Sequence, residues 1–316
     1  MHYLVTGGAG FIGSNLVEAL LRRGDQVRAL DNFSTGKKEN LKDFIDDIEL
    51  IEGDIRSYHT VREVVQGIEV ILHQAALPSV PRSLRDPITT NAVNVGGTLN
   101  VLYAAKDAGV KRVVYASSSS VYGNTAELPK HEGMALNPLS PYAVSKLAAE
   151  KYCGVFAKMY GLHTVGLRYF NVFGPRQDPT SQYSAVIPKF ITTMLAGTRP
   201  VIFGDGEQSR DFTFVGNVVH CNLLAATVEC EPGLVLNCAC HDRTTLNQLL
   251  AAINVLLGTD IKPIYGEARL GDVRHSYAAI ELAQERIGYQ PKVNFHDGIG
   301  KTVEWYNQSR TGQTCA

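Results

Sequence analysis

Between an apolar run, His2 to Thr6, and a helically periodic run, Phe11 to Arg23, the chain places Gly7-Gly8-Ala9-Gly10-Phe11-Ile12-Gly13, an arrangement few folds accept. Glycines at this spacing lack the Cβ atoms that would stop the backbone from turning tightly and approaching a diphosphate, whose charge then meets free N–H groups at the helix N-terminus. The alternative is a Gly-rich turn that binds nothing. Asp31 weighs against it: 18 residues beyond Gly13 and at the end of the next predicted strand, a carboxylate accepts hydrogen bonds from an adenosine ribose. Because that carboxylate repels a 2′-phosphate, the expected cofactor is NAD rather than NADP. Asp54-Ile55, after the third predicted strand, reads either as an adenine neighbour or as a solvated loop.

The surrounding pattern supplies the fold class. Short β-branched runs at Gln26 to Leu30, Glu49 to Glu52, Val70 to His73, Arg112 to Ser117 and Thr164 to Arg168 alternate with helical stretches, clearest at Ile88 to Ala108 and Pro141 to Tyr160. Such alternation predicts βαβ units and an α/β, Rossmann-type doubly wound parallel sheet, with Gly24 and Gly109 as C-terminal helix caps. Residues 1–173 are expected to form this dinucleotide domain, which later segments are free to rejoin. From Gly174 the pattern loosens into shorter predicted helices (Val186 to Ala196, Asn217 to Val228, Leu246 to Leu257, Ala278 to Ile287), and residues 174–316 are expected to form mainly a smaller substrate-binding lobe.

Composition excludes other classes. A hydrophobic content of 45% over 316 residues supports a full core, and 30 Lys plus Arg against 31 Asp plus Glu give no basic excess for a nucleic acid. The opening Met1-His2-Tyr3-Leu4-Val5-Thr6 has no signal-peptide character and no apolar run reaches spanning length, so a cytoplasmic protein with no membrane partner is expected. Six cysteines without a CxxC pair predict reduced thiols. Cys238, Cys240 and His241 suggest a metal only superficially, because a one-residue gap on a strand sends the two sulfurs to opposite faces, and no metal is expected.

Among fourteen tyrosines, only Tyr142 has a lysine four residues on, Lys146, so both side chains project from one face of a helix. An ammonium beside a phenol favours the phenolate, as does a positively charged nicotinamide, and Tyr142 is therefore expected to act as a base near neutrality. Spacing alone fits an ordinary exposed face better. Upstream, Ser117-Ser118-Ser119-Ser120-Val121-Tyr122-Gly123 lies just past a predicted strand, at the carboxyl edge where parallel sheets place ligands, and a hydroxyl there can share a substrate proton with Tyr142. Its alternative is a Ser-rich turn.

Taken in order and spacing, GGAGFIG, SSSSVYG, PYAVSK and RYFNVFGPRQ resemble the nucleotide-sugar epimerases and dehydratases of the extended short-chain dehydrogenase/reductase superfamily over nearly the whole chain. Val201 to Phe212 (VIFGDGEQSRDF) and Arg269 to Ser276 (RLGDVRHS) are most similar to UDP-glucose and UDP-N-acetylglucosamine 4-epimerases. The resemblance implies Tyr142 as base, Lys146 as its modulator and ribose anchor, and Ser118 as partner of the sugar 4-oxygen. It assigns Gly7, Gly10, Phe11, Ile12, Gly13, Asp31, Asn32, Asp54, Ile55, Ala75, Ala76, Asn94 and Phe170 to the NAD pocket, with Tyr142 and Lys146. It assigns Ser79, Ser118, Ser119, Tyr142, Asn171, Val186, Val201, Phe203, Arg210, Arg269, Asp272 and Ser276 to a UDP-sugar site, the arginines as forked phosphate donors. A homodimer through the helices around Ile88 to Ala108 and Pro141 to Tyr160 is also implied.

The same resemblance separates relatives. Dehydratases of the superfamily carry an Asp-Glu pair immediately before Val-Tyr-Gly, where this chain has Ser119 and Ser120, and UDP-glucuronate decarboxylases carry a Glu at the position of Ser120. Some UDP-glucose epimerases have a lysine where this chain has Pro78. Four residues after Asp272, a bulky residue accompanies restriction to glucose and galactose, and a small one admits a 2-acetamido group; here it is Ser276. The expected activity is 4-epimerisation of UDP-GlcNAc/UDP-GalNAc and UDP-Glc/UDP-Gal through a transient 4-keto sugar. Its competitors are another NAD-dependent UDP-sugar enzyme (uronate epimerase, decarboxylase or net dehydrogenase) and a nonenzymatic NAD-binding module.

Overall fold

The structure, a computed structural model, describes residues 1–179, 185–268 and 274–313. Its first half runs β1 (His2–Thr6), α1 (Phe11–Arg22), β2 (Gln26–Asp31), β3 (Glu49–Glu52), α2 (Tyr58–Val64), β4 (Val70–His73), α3 (Val80–Arg85), α4 (Pro87–Asn91), α5 (Thr98–Asp107), β5 (Arg112–Ser118), α6 (Pro141–Tyr160) and β6 (His163–Tyr169). The second half runs β7 (Val172–Phe173), α7 (Val186–Leu195), β8 (Val201–Phe203), β9 (Ser209–Arg210), β10 (Thr213–Phe214), α8 (Val215–Thr227), β11 (Leu234–Cys238), β12 (Thr244–Thr245), α9 (Leu246–Leu257), β13 (Ile264–Gly266), α10 (Glu281–Ile287) and α11 (Phe295–Gln313).

Seven parallel strands form one sheet in the order β11-β6-β5-β4-β1-β2-β3. Side-chain alternation explains why both faces carry helices. Tyr3 and Val5 of β1 pack with Leu16, Val17 and Leu20 of α1 and Val218 of α8, whereas Leu4 packs with Val101 and Leu102 of α5 and with Phe156 of α6. Each such side chain, fully withdrawn from water, contributes roughly 1.5–3 kcal/mol. The strand order reverses between β1 and β4, and this opens a crevice at their carboxyl ends, where ligands bind in such sheets. β11 completes the sheet from beyond Gly174, and α8 packs against α1, so part of the second half belongs to the first layer system.

Other segments of the second half gather around a separate apolar cluster that joins Phe173, Phe190 and Ile191 to Phe212, Leu249, Ile253 and Ile299, whereas α10 packs against β11. This cluster is built from β7, β8 and β10 with α7, α9 and α11.

One expected helix changes its winding part-way. The pattern Ile88 to Ala108 reads as a single helix, but the structure interrupts it with a π-helical stretch over Ala92–Gly97 between α4 and α5. Asn94 accounts for the interruption. Its Oδ1 accepts Leu77 N–H at 2.8 Å, and its Nδ2 donates to Ser145 Oγ at 3.0 Å, drawing the turn toward β4 and α6. The expected helix Ala278 to Ile287 begins only at Glu281, because Ala278 forms a bridge to Lys130 instead.

Candidate active site

Gly7 turns the chain at the end of β1 with φ +69°, and a Cβ there would stand 2.8 Å from Ala75 N. A Cβ on Gly13 would stand 2.0 Å from Gly7 O, so the first turn of α1 closes on the loop only with glycine at both positions. Gly10 is the N-cap of α1, with Phe11 and Ile12 opening the helix, whose first N–H groups point away from it. Asp31, 7% exposed, accepts Ala9 N–H at 2.9 Å and Phe33 N–H at 2.8 Å. Burial raises its pKa although these backbone bonds act in the opposite direction. The floor therefore combines a glycine cradle, helix N–H groups and a fixed carboxylate, which fits an NAD dinucleotide. Asn32 Nδ2 donates to Asp54 at 2.9 Å, and the Arg56 guanidinium holds Asp54 down to about 2. Ile55 is buried against Gly97, while Ala75 and Ala76 line the exit from β4.

The catalytic candidates converge at the carboxyl edge of the sheet. Ser140 caps α6 by accepting Ala143 N–H at 3.1 Å, and Pro141 at the first helical position fixes the entry angle, so Tyr142 sits in the first turn. Ser118 ends β5, with its hydroxyl close enough to the Tyr142 phenol to influence its ionisation. It also accepts Ser120 N–H at 3.2 Å and the Ser120 hydroxyl at 2.9 Å, which fix its rotamer; Ser119 is half-buried beside it. One turn along α6, Lys146 is 4% exposed and donates to Ala116 O at 2.9 Å, with Nζ 6.0 Å from the Tyr142 ring centroid.

Burial dominates the electrostatics of both groups. Burial raises the Tyr142 pKa and the neighbouring Ser118 hydroxyl opposes it, while burial pushes Lys146 down to about 7. Desolvation prevails because both groups sit where water cannot stabilise either charge.

Beyond these groups a cleft of about 550 Å³ is lined by Asn171, Val186, Val201, Phe203 and Arg210. Those five expected substrate residues come from four separate segments. The cleft also holds Gln208 and Phe212, which sequence reasoning passed over although both lie within VIFGDGEQSRDF. Ser276 is buried against β9, donating its N–H to Ser209 O at 3.0 Å and accepting Asp211 N–H at 2.8 Å, which puts it beside Arg210. Ser79 caps α3 at φ 101°. Arg269 and Asp272 lie outside the described residues. Phe170 is fully buried beside Tyr122 and Ala239.

A buried layer beneath the site went unpredicted. Glu150 of α6 accepts Arg168 Nη2 at 2.7 Å, Arg168 Nε at 3.0 Å and Ser117 Oγ at 2.8 Å, and Arg168 donates onward to Tyr122 Oη at 2.9 Å.

The model of the NAD-dependent epimerase/dehydratase family matches residues 3–239. The chain belongs to this family. As a member it is an NAD-dependent enzyme of the extended short-chain dehydrogenase/reductase fold. It is 40% identical over 310 residues to the UDP-glucose 4-epimerase of Mycolicibacterium smegmatis, covering 97% of this chain and 98% of that one. It superposes with TM-score 0.93, at 40% identity and 98% coverage of both chains, on the UDP-N-acetylglucosamine 4-epimerase from Methanobrevibacter ruminantium in complex with UDP-N-acetylmuramic acid. It is 31% identical to the UDP-glucuronate 4-epimerase of Thermodesulfobacterium geofontis, covering 98% of this chain and 97% of that relative. Among the described residues no group of side chains could hold a metal ion, and no helix is long and apolar enough to cross a membrane.

Proposed function

We propose that this family member is a 4-epimerase of UDP-hexoses, interconverting UDP-GlcNAc with UDP-GalNAc and UDP-Glc with UDP-Gal. The observation that supports the reading is the placement of Ser118 at the end of β5 beside the Tyr142 phenol, with Lys146 buried one turn along α6, in a chain that also carries the glycine cradle and a cleft lined by Asn171, Phe203 and Arg210. Bound NAD supplies the hydride acceptor and donor. Tyr142 Oη takes the sugar 4-hydroxyl proton and later returns it to the 4-oxygen once the keto sugar has presented its other face to the cofactor, while Ser118 holds the 4-oxygen. Lys146 anchors the nicotinamide ribose. The 4-keto sugar must turn between the two half-reactions, so a firm grip on the nucleotide by Phe203 and Arg210 and a loose grip on the hexose are the physical requirements.

Ser119 and Ser120 supply no carboxylate for elimination or decarboxylation. A uronate epimerase is the second reading, supported by the UDP-glucuronate 4-epimerase relative. We read the protein as cytoplasmic and as a homodimer through α4 to α6, whose outer faces leave Ile88 81% and Met159 68% exposed. Incubating the purified protein with each UDP-sugar and separating products by chromatography tests the activity. Interconversion of UDP-hexoses without added cofactor supports it, whereas steady accumulation of NADH indicates a net dehydrogenase.

A further inference from the structure

Beneath the catalytic groups lies a buried imidazole with no part in the chemistry above. β4 ends in His73, 1% exposed and register-paired with Thr6 of β1. Its Nδ1 stands 2.6 Å from Thr6 Oγ1 and its Nε2 stands 2.9 Å from Thr98 Oγ1. The neighbours fix the direction of both bonds. Thr98 Oγ1 is 2.6 Å from Asn94 O, and a carbonyl has no proton to give, so the Thr98 hydroxyl proton occupies that contact. Thr98 can only accept from His73, and Nε2 therefore carries hydrogen. On the other side Thr6 Oγ1 accepts Ala75 N–H at 3.2 Å and gives its own proton to Nδ1.

A doubly protonated ring would set a donor against the Thr6 hydroxyl and strand that hydroxyl's proton. The facing groups favour the neutral ring as well: Tyr115 of β5 lies 5.9 Å away, and burial together with the Lys146 charge pushes the imidazole down to about 3. From Thr98 the connection continues through Asn94 in the π turn. Asn94 Nδ2 donates to Ser145 Oγ at 3.0 Å, and Ser145 Oγ donates to Tyr142 O at 2.8 Å. One hydrogen-bonded path thus runs from the strand that carries Gly7 to the first turn of α6.

We propose that His73 is a positioning residue, a permanently neutral, Nε2-protonated imidazole that fixes the dinucleotide loop against the helix carrying Tyr142 and Lys146. The path joins the segment that cradles the cofactor to the segment that moves the proton. Misplacement by about 1 Å at such a junction costs on the order of a hundredfold in rate without touching substrate affinity. Only the kinetic consequence rests on the epimerase reading; the tautomer does not.

The first test is nitrogen-15 NMR of histidine-labelled protein with bound NAD. His73 is expected to show a bare Nδ1 and a protonated Nε2, unchanged between about pH 5 and 8. A ring that titrates in that range, or that is protonated at Nδ1, overturns the proposal. The second test compares His73→Phe and Thr98→Val. Each is expected to lower kcat by about tenfold or more, with NAD content retained and KM for the UDP-sugar within about twofold. The double variant should be no slower than the slower single variant. Full kcat in Thr98→Val, or losses that multiply in the double variant, overturns the proposal even where His73→Phe does not fold. A wild-type protein that interconverts no UDP-sugar removes the epimerase reading and leaves the NMR result to decide this one.

Discussion

Replacing Glu150 by glutamine tests the buried layer that supports the serine loop. Glu150 and Arg168 side chains are 3% and 4% exposed, and the carboxylate accepts two guanidinium N–H groups and the Ser117 hydroxyl. The amide keeps the volume but turns one acceptor into a donor facing a guanidinium, so a buried charge loses its counterion. Removing one partner of such a pair costs about 3–5 kcal/mol, because the remaining charge stays desolvated. Urea denaturation by circular dichroism should show this loss as a lower midpoint with an unchanged slope. Glu150→Leu combined with Arg168→Met removes both charges and should recover most of it, leaving roughly 1 kcal/mol for the orphaned Ser117 hydroxyl. A Glu150→Gln protein within about 1 kcal/mol of wild type, or additive effects in the double variant, would refute the reasoning.

Gly13→Ala should abolish NAD retention on gel filtration, because its Cβ would meet Gly7 O at 2.0 Å; retention at the wild-type level contradicts the cradle. Ser276→Tyr should suppress turnover of UDP-GlcNAc while sparing UDP-Glc, and equal loss on both removes Ser276 as a selectivity residue. Lys146 has a folded pKa of about 7 against an ordinary 10.5, so between these values the unfolded chain binds more protons and stability rises with pH. Lys146→Met should flatten that rise in denaturation of the cofactor-free protein measured from about pH 7 to 10, and an unchanged slope would show that another group causes it.

The parallel sheet and the dinucleotide cradle were legible because their signals are local. Gly7, Gly13 and Asp31 report backbone conformation and a strand end, and Ser140-Pro141 marks a helix start whichever fold surrounds it. The cleft residues were legible only through motif resemblance, since Asn171, Val186, Val201, Phe203 and Arg210 come from four segments that no periodicity joins. The π turn was not legible. Val93-Asn94-Val95 reads as helix, and only Asn94's bonds to Leu77 and Ser145, both distant in sequence, pull the turn open. The Glu150–Arg168 pair was not legible for the same reason, its partners being 18 residues apart and on different elements.

Chromatographic assay of the purified Tyr142→Phe variant, preloaded with NAD and given UDP-GlcNAc and UDP-Glc, bears most directly on the proposed chemistry. Loss of the phenolic hydroxyl should slow interconversion by about a hundredfold to ten-thousandfold while UDP-sugar binding, measured by calorimetry, stays within about twofold of wild type. A Phe variant that interconverts the sugars at the wild-type rate would contradict the assignment of Tyr142 as the proton-transferring group.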